Sequence, residues 1–287
     1  MRILVTGAGG MLGQDVVRAA RAAGDDTIAL ARADLDVADR DAVERALSDA
    51  RVGGGDVVVN CAAWTDVDGA ESDRPGAFRV NAIGAATVAG AAAGVGARLV
   101  HVSTDYVFDG DRPPDARPYV ESDATGPRSV YGASKLEGEK LVAKCGGSYA
   151  IARSSWLFGV GGHNFAATML RLAAERDELT VVEDQIGCPT ATAHLAPALL
   201  ELARSDAQGV FHVAGGGTPV SWNAFAAEIF RQAGVGTRVL PCATAEMPRP
   251  APRPAFSALA SERPEAPVLP PWQDGLADYL TARKVTA

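Results

Sequence analysis

Arg2-Ile3-Leu4-Val5-Thr6 runs directly into Gly7-Ala8-Gly9-Gly10-Met11-Leu12-Gly13, and no other stretch limits the possible folds so sharply. A short apolar run ahead of glycines reads as a buried strand. Apolar residues then recur with helical spacing at Val16, Val17 and Ala20, up to Gly24. Strand, glycine turn and helix in that order are the context that makes a glycine pattern a dinucleotide-binding motif. Gly7 allows the tight turn, Gly10 lets the backbone approach a pyrophosphate, and Gly13 lets the helix pack close to the strand. The helix start would offer free N–H groups and partial positive charge to the phosphates.

The alternation continues. Strands are expected at Thr27–Ala31, Asp56–Asn60, Arg98–Val102 and Tyr149–Arg153. Helices are expected at Arg40–Ala50, from about Pro75 to Ala93 with Asn81 inside, and from Tyr131 to about Lys144. Such alternation predicts an α/β fold with a Rossmann-type, doubly wound parallel sheet. Beyond Gly161 the texture changes. Asn164–Glu175 reads as an amphipathic helix, Thr180–Gly187 as a short strand and turn, and Thr192–Arg204 as a helix. Val210–Ala214 then reads as a strand and Trp222–Gly234 as a helix capped by Ser221, before the proline-rich Met247–Pro254 and a tail around Trp272. The expected organisation is a nucleotide-binding domain over residues 1–160, with 192–216 returning to it. Residues 161–191 and 217–287 would form a smaller mixed α/β C-terminal substrate lobe.

Composition removes several function classes. A net charge of -8 without a basic cluster argues against nucleic acid as a partner. Ala82–Val102 is weakly polar, rich in Ala and Gly, and split by Gly94, Gly96 and Arg98, so it reads as a buried helix and strand rather than a membrane span. The chain enters its first strand at Arg2 with no basic leader, and its four scattered cysteines lack metal-ligand spacing. Free thiols in a reducing cytosol, and hence a cytoplasmic protein, are the expectation.

Four stretches carry candidate chemistry. Tyr131 and Lys135 lie one helical turn apart, where an ammonium would lower the phenol pKa toward neutrality and fit it for proton transfer to a carbonyl. Thr104, in Ser103-Thr104-Asp105-Tyr106, stands at the carboxyl end of a strand and is placed to hydrogen-bond a substrate carbonyl. Arg32 ends the second strand and suits the 2′-phosphate of NADP, so NADPH is favoured while NADH stays open. Asp34 and Asp36 follow as groups for an adenosine hydroxyl or the adenine amine. Cys61-Ala62-Ala63-Trp64 sets small residues where a strand end approaches a cofactor, followed by a polar rim loop, Thr65–Glu71. Asp109–Gly126 reads as an exposed flap at the site mouth, and His101 as a strand residue without a partner.

Taken together, Thr6–Gly13, Ser103–Phe108 and the Tyr131/Lys135 pair resemble the extended short-chain dehydrogenase/reductase family. Within it the chain is similar to the enzymes that reduce the C4 ketone of dTDP-4-dehydro-6-deoxy-L-mannose (dTDP-4-dehydrorhamnose) to dTDP-L-rhamnose. Asn60–Asp68, Ser103–Gly110, Tyr131–Glu139, Arg153–Phe158, Asn164-Phe165, Asp184–Thr190 and Arg253-Pro254 carry that likeness. Phe256 stands where the family usually has Asn, and Arg253 is shifted from a double-arginine form. The resemblance implies hydride transfer from NADPH, Tyr131 as proton donor, Lys135 holding the nicotinamide ribose, and Thr104 polarising the ketone. It places Gly10, Met11, Leu12, Ala62, Ala63 and Trp64 against the cofactor, beside Gly7, Gly13, Arg32 and Asp36 read above, with Ser103 as a further cofactor residue. Val67, Asp105, Tyr106, Trp156 and Arg253 fall to the substrate, a small dTDP-ketosugar, and Asp15, less clearly Glu183 or Asp184, to a Mg²⁺ some relatives use. A monomer or homodimer is compatible with the sequence. So are two other readings: a 4-ketoreductase for another dTDP-deoxysugar, and a non-catalytic regulatory relative that binds NADP.

Overall fold

The computed structural model describes residues 1–286. Its centre is a six-stranded parallel sheet made of β1 (Arg2–Thr6), β2 (Asp26–Leu30), β3 (Val57–Asn60), β4 (Arg98–Thr104), β5 (Tyr149–Ser154) and β10 (Gly209–His212). The spatial order is β2-β1-β3-β4-β5-β10, so the chain reverses its direction of travel across the sheet between β1 and β3. In open α/β sheets the crevice outside the strand ends at such a reversal is where ligands bind.

Alternate side chains of the strands feed two cores. Ile3, Val5, Val57, Val59, Val100 and Phe211 meet α1 (Met11–Ala22) and α8 (Thr192–Arg204) on one face. Leu4, Val58, Leu99 and Ile151 meet α2 (Arg40–Asp49), α5 (Ala85–Gly94) and α6 (Val130–Lys144) on the other. Strands covered on both faces need continuous apolar runs, which these sequences supply. Asp15 ties α1 to α8: its buried carboxylate accepts a 2.5 Å hydrogen bond from Thr192 Oγ1 and is paired with Arg18.

A third apolar cluster joins Phe158, Met169, Leu179, Phe225, Ile229, Trp272, Leu276 and Tyr279. It collects β6 (Leu157–Phe158), α7 (Phe165–Ala173), β7 (Glu178–Val182), α9 (Trp222–Ala233) and α10 (Trp272–Thr286). The remaining short strands are β8 (Ile186–Gly187), β9 (Thr190–Ala191), β11 (Val220–Ser221) and β12 (Arg238–Cys242), the last parallel to β7. Neither β12 nor α10 was expected from the sequence.

Three expectations change. The rim after β3 is helical from Val67 to Ser72 (α3), capped by Asp66, whose carboxylate accepts from the Gly69 N–H at 2.8 Å, and is not a polar loop. The helix expected from about Pro75 to Ala93 is α4 (Arg74–Phe78) and α5 joined through a π-helical turn, Arg79–Gly84. The 109–126 segment is tied down. Tyr119 is buried, stacks on Phe108 at 4.2 Å, and bridges to Leu259 through hydrogen bonds with Ala258 and Ala260.

Candidate active site

The glycine turn is built for close approach. Gly7 has φ +67°, and a Cβ there would stand 2.6 Å from the Ala62 nitrogen on the neighbouring strand end; one on Gly13 would stand 2.2 Å from the Gly7 carbonyl oxygen. The side-chain-free turn therefore lets β1, β3 and α1 meet in one crevice. Gly10 is the helix N-cap with no side-chain cap, and no acid lies in the first turn, so the first N–H groups stay open to an anion. These features fit the pyrophosphate of a dinucleotide. Arg32 is exposed just past β2, while Asp36 is paired with Arg79, which together with Arg32 holds its carboxyl below the usual range. Asp34 is likewise engaged, accepting from the Ala31 N–H at 2.8 Å.

Ala62, Ala63 and Trp64 are held by two asparagines that sequence reasoning did not assign to the site. Asn60 Oδ1 accepts from the Ala62 N–H at 3.1 Å and from Thr6 Oγ1 at 2.7 Å. Asn81, from the π-helical turn, accepts from the Trp64 N–H at 2.8 Å and donates to the Trp64 carbonyl at 3.1 Å. The same amide donates to Ser134 Oγ at 2.9 Å, one residue before Lys135. A π-turn inside a helix is a frequent marker of functional positions, and here it presents the residue that joins the cofactor-side loop to α6.

Ser129 caps α6, accepting from the Gly132 N–H at 3.0 Å. Gly132 lies so close to the preceding turn that a Cβ would stand 2.2 Å from the Tyr106 carbonyl oxygen. This contact brings Tyr131 against Tyr106, with ring centroids 5.4 Å apart in an edge-on arrangement. Burial pushes the Tyr131 phenol up to about 12, while the Thr104 hydroxyl pulls the other way. That corrects the expectation that Lys135 brings the phenol toward neutrality: burial dominates, and the tyrosine is a loaded proton donor. Lys135 is buried, donates to the Val102 carbonyl at 2.7 Å, and lies 3.5 Å from His101 Nε2. Burial lowers its ammonium to about 8, opposed by Glu139 and Cys61. His101 does have a partner on its other side, since Asn60 Nδ2 is 3.1 Å from its Nδ1.

Thr104 Oγ1 donates to Asp105 Oδ1 at 2.9 Å and accepts from the Tyr106 N–H at 3.2 Å. Asp105 is buried with its second oxygen unpartnered, and burial raises its carboxyl to about 6. Ser103 turns the other way, its hydroxyl donating to Glu139 Oε1 at 2.5 Å within a buried pair between Glu139 and Arg153. Val67 begins α3 at the rim. Arg253 is held by Asp68 at 2.8 Å, and with Tyr106, Arg128 and Asp109 it lines a cavity of about 100 Å³ beside the site. Trp156 has a left-handed backbone (φ +50°), uncommon for a bulky residue, and stacks on Trp222 at 3.5 Å. Trp222 was read only as a helix start.

The expected metal ligands stand apart. Asp15 is filled by Thr192 and Arg18, and Asp184 accepts from the backbone and hydroxyl of Thr244. Among the described residues no group of three or more His, Cys, Asp or Glu side chains is placed to hold a metal ion. No described helix is long and apolar enough to cross a membrane.

A parallel sheet with its glycine turn at the switch point, and a Tyr set beside a buried Thr and a buried Lys at its carboxyl edge, define an oxidoreductase of the short-chain dehydrogenase/reductase type. The sequence profile of the RmlD substrate binding domain matches residues 1–285, and the chain belongs to that family. A dTDP-4-dehydrorhamnose reductase of Mycobacterium tuberculosis (strain H37Rv) is 45% identical over 288 residues, spanning 98% of this chain and 93% of that one. A solved dTDP-4-dehydrorhamnose reductase from Clostridium acetobutylicum superposes with a TM-score of 0.93 at 40% identity, over 99% of this chain and 100% of that one. The dTDP-4-dehydrorhamnose reductase of Bacillus anthracis, solved in complex with NADP, gives 0.92 at 38% identity over 98% and 99%.

Proposed function

We propose that this protein is a cytoplasmic reductase that converts dTDP-4-dehydrorhamnose to dTDP-L-rhamnose, with NADPH as the reductant. The observation that carries the reading is the edge-on packing of Tyr131 against Tyr106, whose N–H is held by Thr104 Oγ1 at the crevice end of β4, within a family whose members bear this name. When bound, the nicotinamide supplies a hydride to the C4 carbon of the ketosugar. The chain's own groups act on the oxygen. On substrate binding the Thr104 hydroxyl turns its one proton from Asp105 Oδ1 to the carbonyl and favours charge building on it. Tyr131 then gives its proton to the forming alkoxide, a base strong enough to take one from a phenol near 12. Lys135, fixed on the Val102 carbonyl, sets its remaining N–H groups beside the cofactor ribose. The open N–H groups at the start of α1 hold the pyrophosphate, the backbone of Ala62–Trp64 flanks the cofactor, and Arg32 receives the 2′-phosphate. Asp105, Tyr106, Val67 and Trp156 shape the sugar pocket, and Arg253 faces the nucleotide end.

Tyr131→Phe tests the assignment. Turnover of dTDP-4-dehydrorhamnose, followed by NADPH absorbance, should fall by about 10²–10⁴-fold, with the NADPH Kd nearly unchanged. Retained turnover would remove Tyr131 as the acid. Faster reduction of another dTDP-4-ketosugar by the unaltered enzyme would reassign the substrate.

A further inference from the structure

Asn60 and His101 sit directly opposite each other on β3 and β4, both almost fully buried. The orientation of the Asn60 amide is not free. Ala62 can only donate its backbone N–H, so the atom it meets must be the Asn60 oxygen, and the amide nitrogen is left facing His101 Nδ1 at 3.1 Å. An NH₂ group donates, so Nδ1 accepts and a neutral imidazole carries its hydrogen on Nε2. The doubly protonated ring is disfavoured by burial and by the charge of Lys135. Nε2 in turn faces Lys135 Nζ at 3.5 Å.

An ammonium has hydrogens and no lone pair, so it finds no acceptor in an imidazole N–H. A neutral amine does accept from it. We propose that His101, locked by Asn60 as the Nε2–H tautomer, is a positioning residue that selectively favours the neutral amine of Lys135 and so sets the alkaline limit of the enzyme. This rests on the reductase reading above. The other titratable groups around the lysine are Glu139 and Tyr131 on α6 and the thiol of Cys61 after β3. Glu139 and Cys61 favour the ammonium and burial opposes it; the Nε2–H of His101, 3.5 Å away, adds to the opposing side.

The experiment compares kcat/KM for NADPH across alkaline pH in the unaltered enzyme, His101→Gln, His101→Asn and His101→Phe. Glutamine keeps an N–H near the place of Nε2. Asparagine keeps the link to Asn60 but withdraws the N–H from the lysine, and phenylalanine keeps only the ring. The alkaline limb should move up by about 0.5–1 pH unit in the Phe and Asn variants, the effect of one hydrogen bond, and stay near that of the unaltered enzyme in Gln. Loss of active protein lowers the whole profile without moving its limb, and if the Phe variant does not fold, the Asn–Gln pair decides. NADPH affinity against pH, read by fluorescence, follows the same ionisation without turnover. A limb that ignores residue 101, or that moves equally with Gln and Asn, overturns the proposal. An unaltered enzyme that binds NADPH but reduces no dTDP-4-ketosugar would instead overturn the reductase reading.

Discussion

Asp105 shows how far burial governs the chemistry of single residues here. Its carboxyl rises from an ordinary 3.8 to about 6, so the folded protein keeps a proton that the unfolded chain gives up between those values. Stability therefore falls as pH climbs through that window, and the deficit persists above it. Asp105→Asn cannot ionise, and should be more stable than the unaltered protein by about 1–3 kcal/mol at pH 7 and by little at pH 4, as measured by urea denaturation. Its turnover should fall, because the carboxylate that accepts from Thr104 Oγ1 is replaced. The same lesson applies to Tyr131 and Lys135. Their shared helix face was legible because it depends only on a four-residue spacing. Their ionisation was not, because it depends on what covers them. His101 and Asn60 were opaque for another reason: they stand 41 positions apart and become neighbours only through the register of β3 on β4.

Elements whose residues contact mainly one another could be read closely. Every strand from β1 to β5 lies within two residues of its expected place, and Thr192–Arg204 matches at both ends. The π-helical turn at Arg79–Gly84 left no such trace, since an alanine-rich helix gives the same hydrophobic pattern with or without one wide turn. For α10 a signal did exist: Trp272, Leu276, Tyr279 and Leu280 share one face at helical spacing and are all buried. The fit of α6 against the turn after β4 is the most demanding contact between elements. A methyl group at residue 132 would press on the Tyr106 carbonyl, which is backbone and cannot swing aside. Gly132→Ala should therefore displace Tyr131 from Thr104 and lower kcat by about 10²-fold, while NADPH binding at the glycine turn changes little. Steady-state kinetics with a parallel NADPH titration would measure this, and an unchanged kcat would show that α6 can shift without cost to the site.

Across the whole molecule, the parallel sheet was readable from strand–helix alternation, but the path of the last forty residues was not. Those residues return to places far back in the chain. Arg253 grips Asp68, Phe256 bridges to Ile186, Leu259 bridges to Tyr119, and the Ser261 hydroxyl donates to Glu121 at 2.5 Å. No local pattern announces such contacts, because each joins segments more than 60 residues apart. The consequence concerns synthesis. A nascent chain carries every strand of the sheet, the glycine turn, Thr104, Tyr131 and Lys135 well before the Arg253–Ser261 segment has left the ribosome. Domains generally acquire structure as they emerge, N-terminal parts first. Ribosome-bound chains arrested with residue 248 just outside the exit tunnel should therefore capture NADPH yet remain open to protease within 111–125, and release of the complete chain should close that window. Equal resistance at both stages would mean that the pocket for the sugar sets without its final clasp.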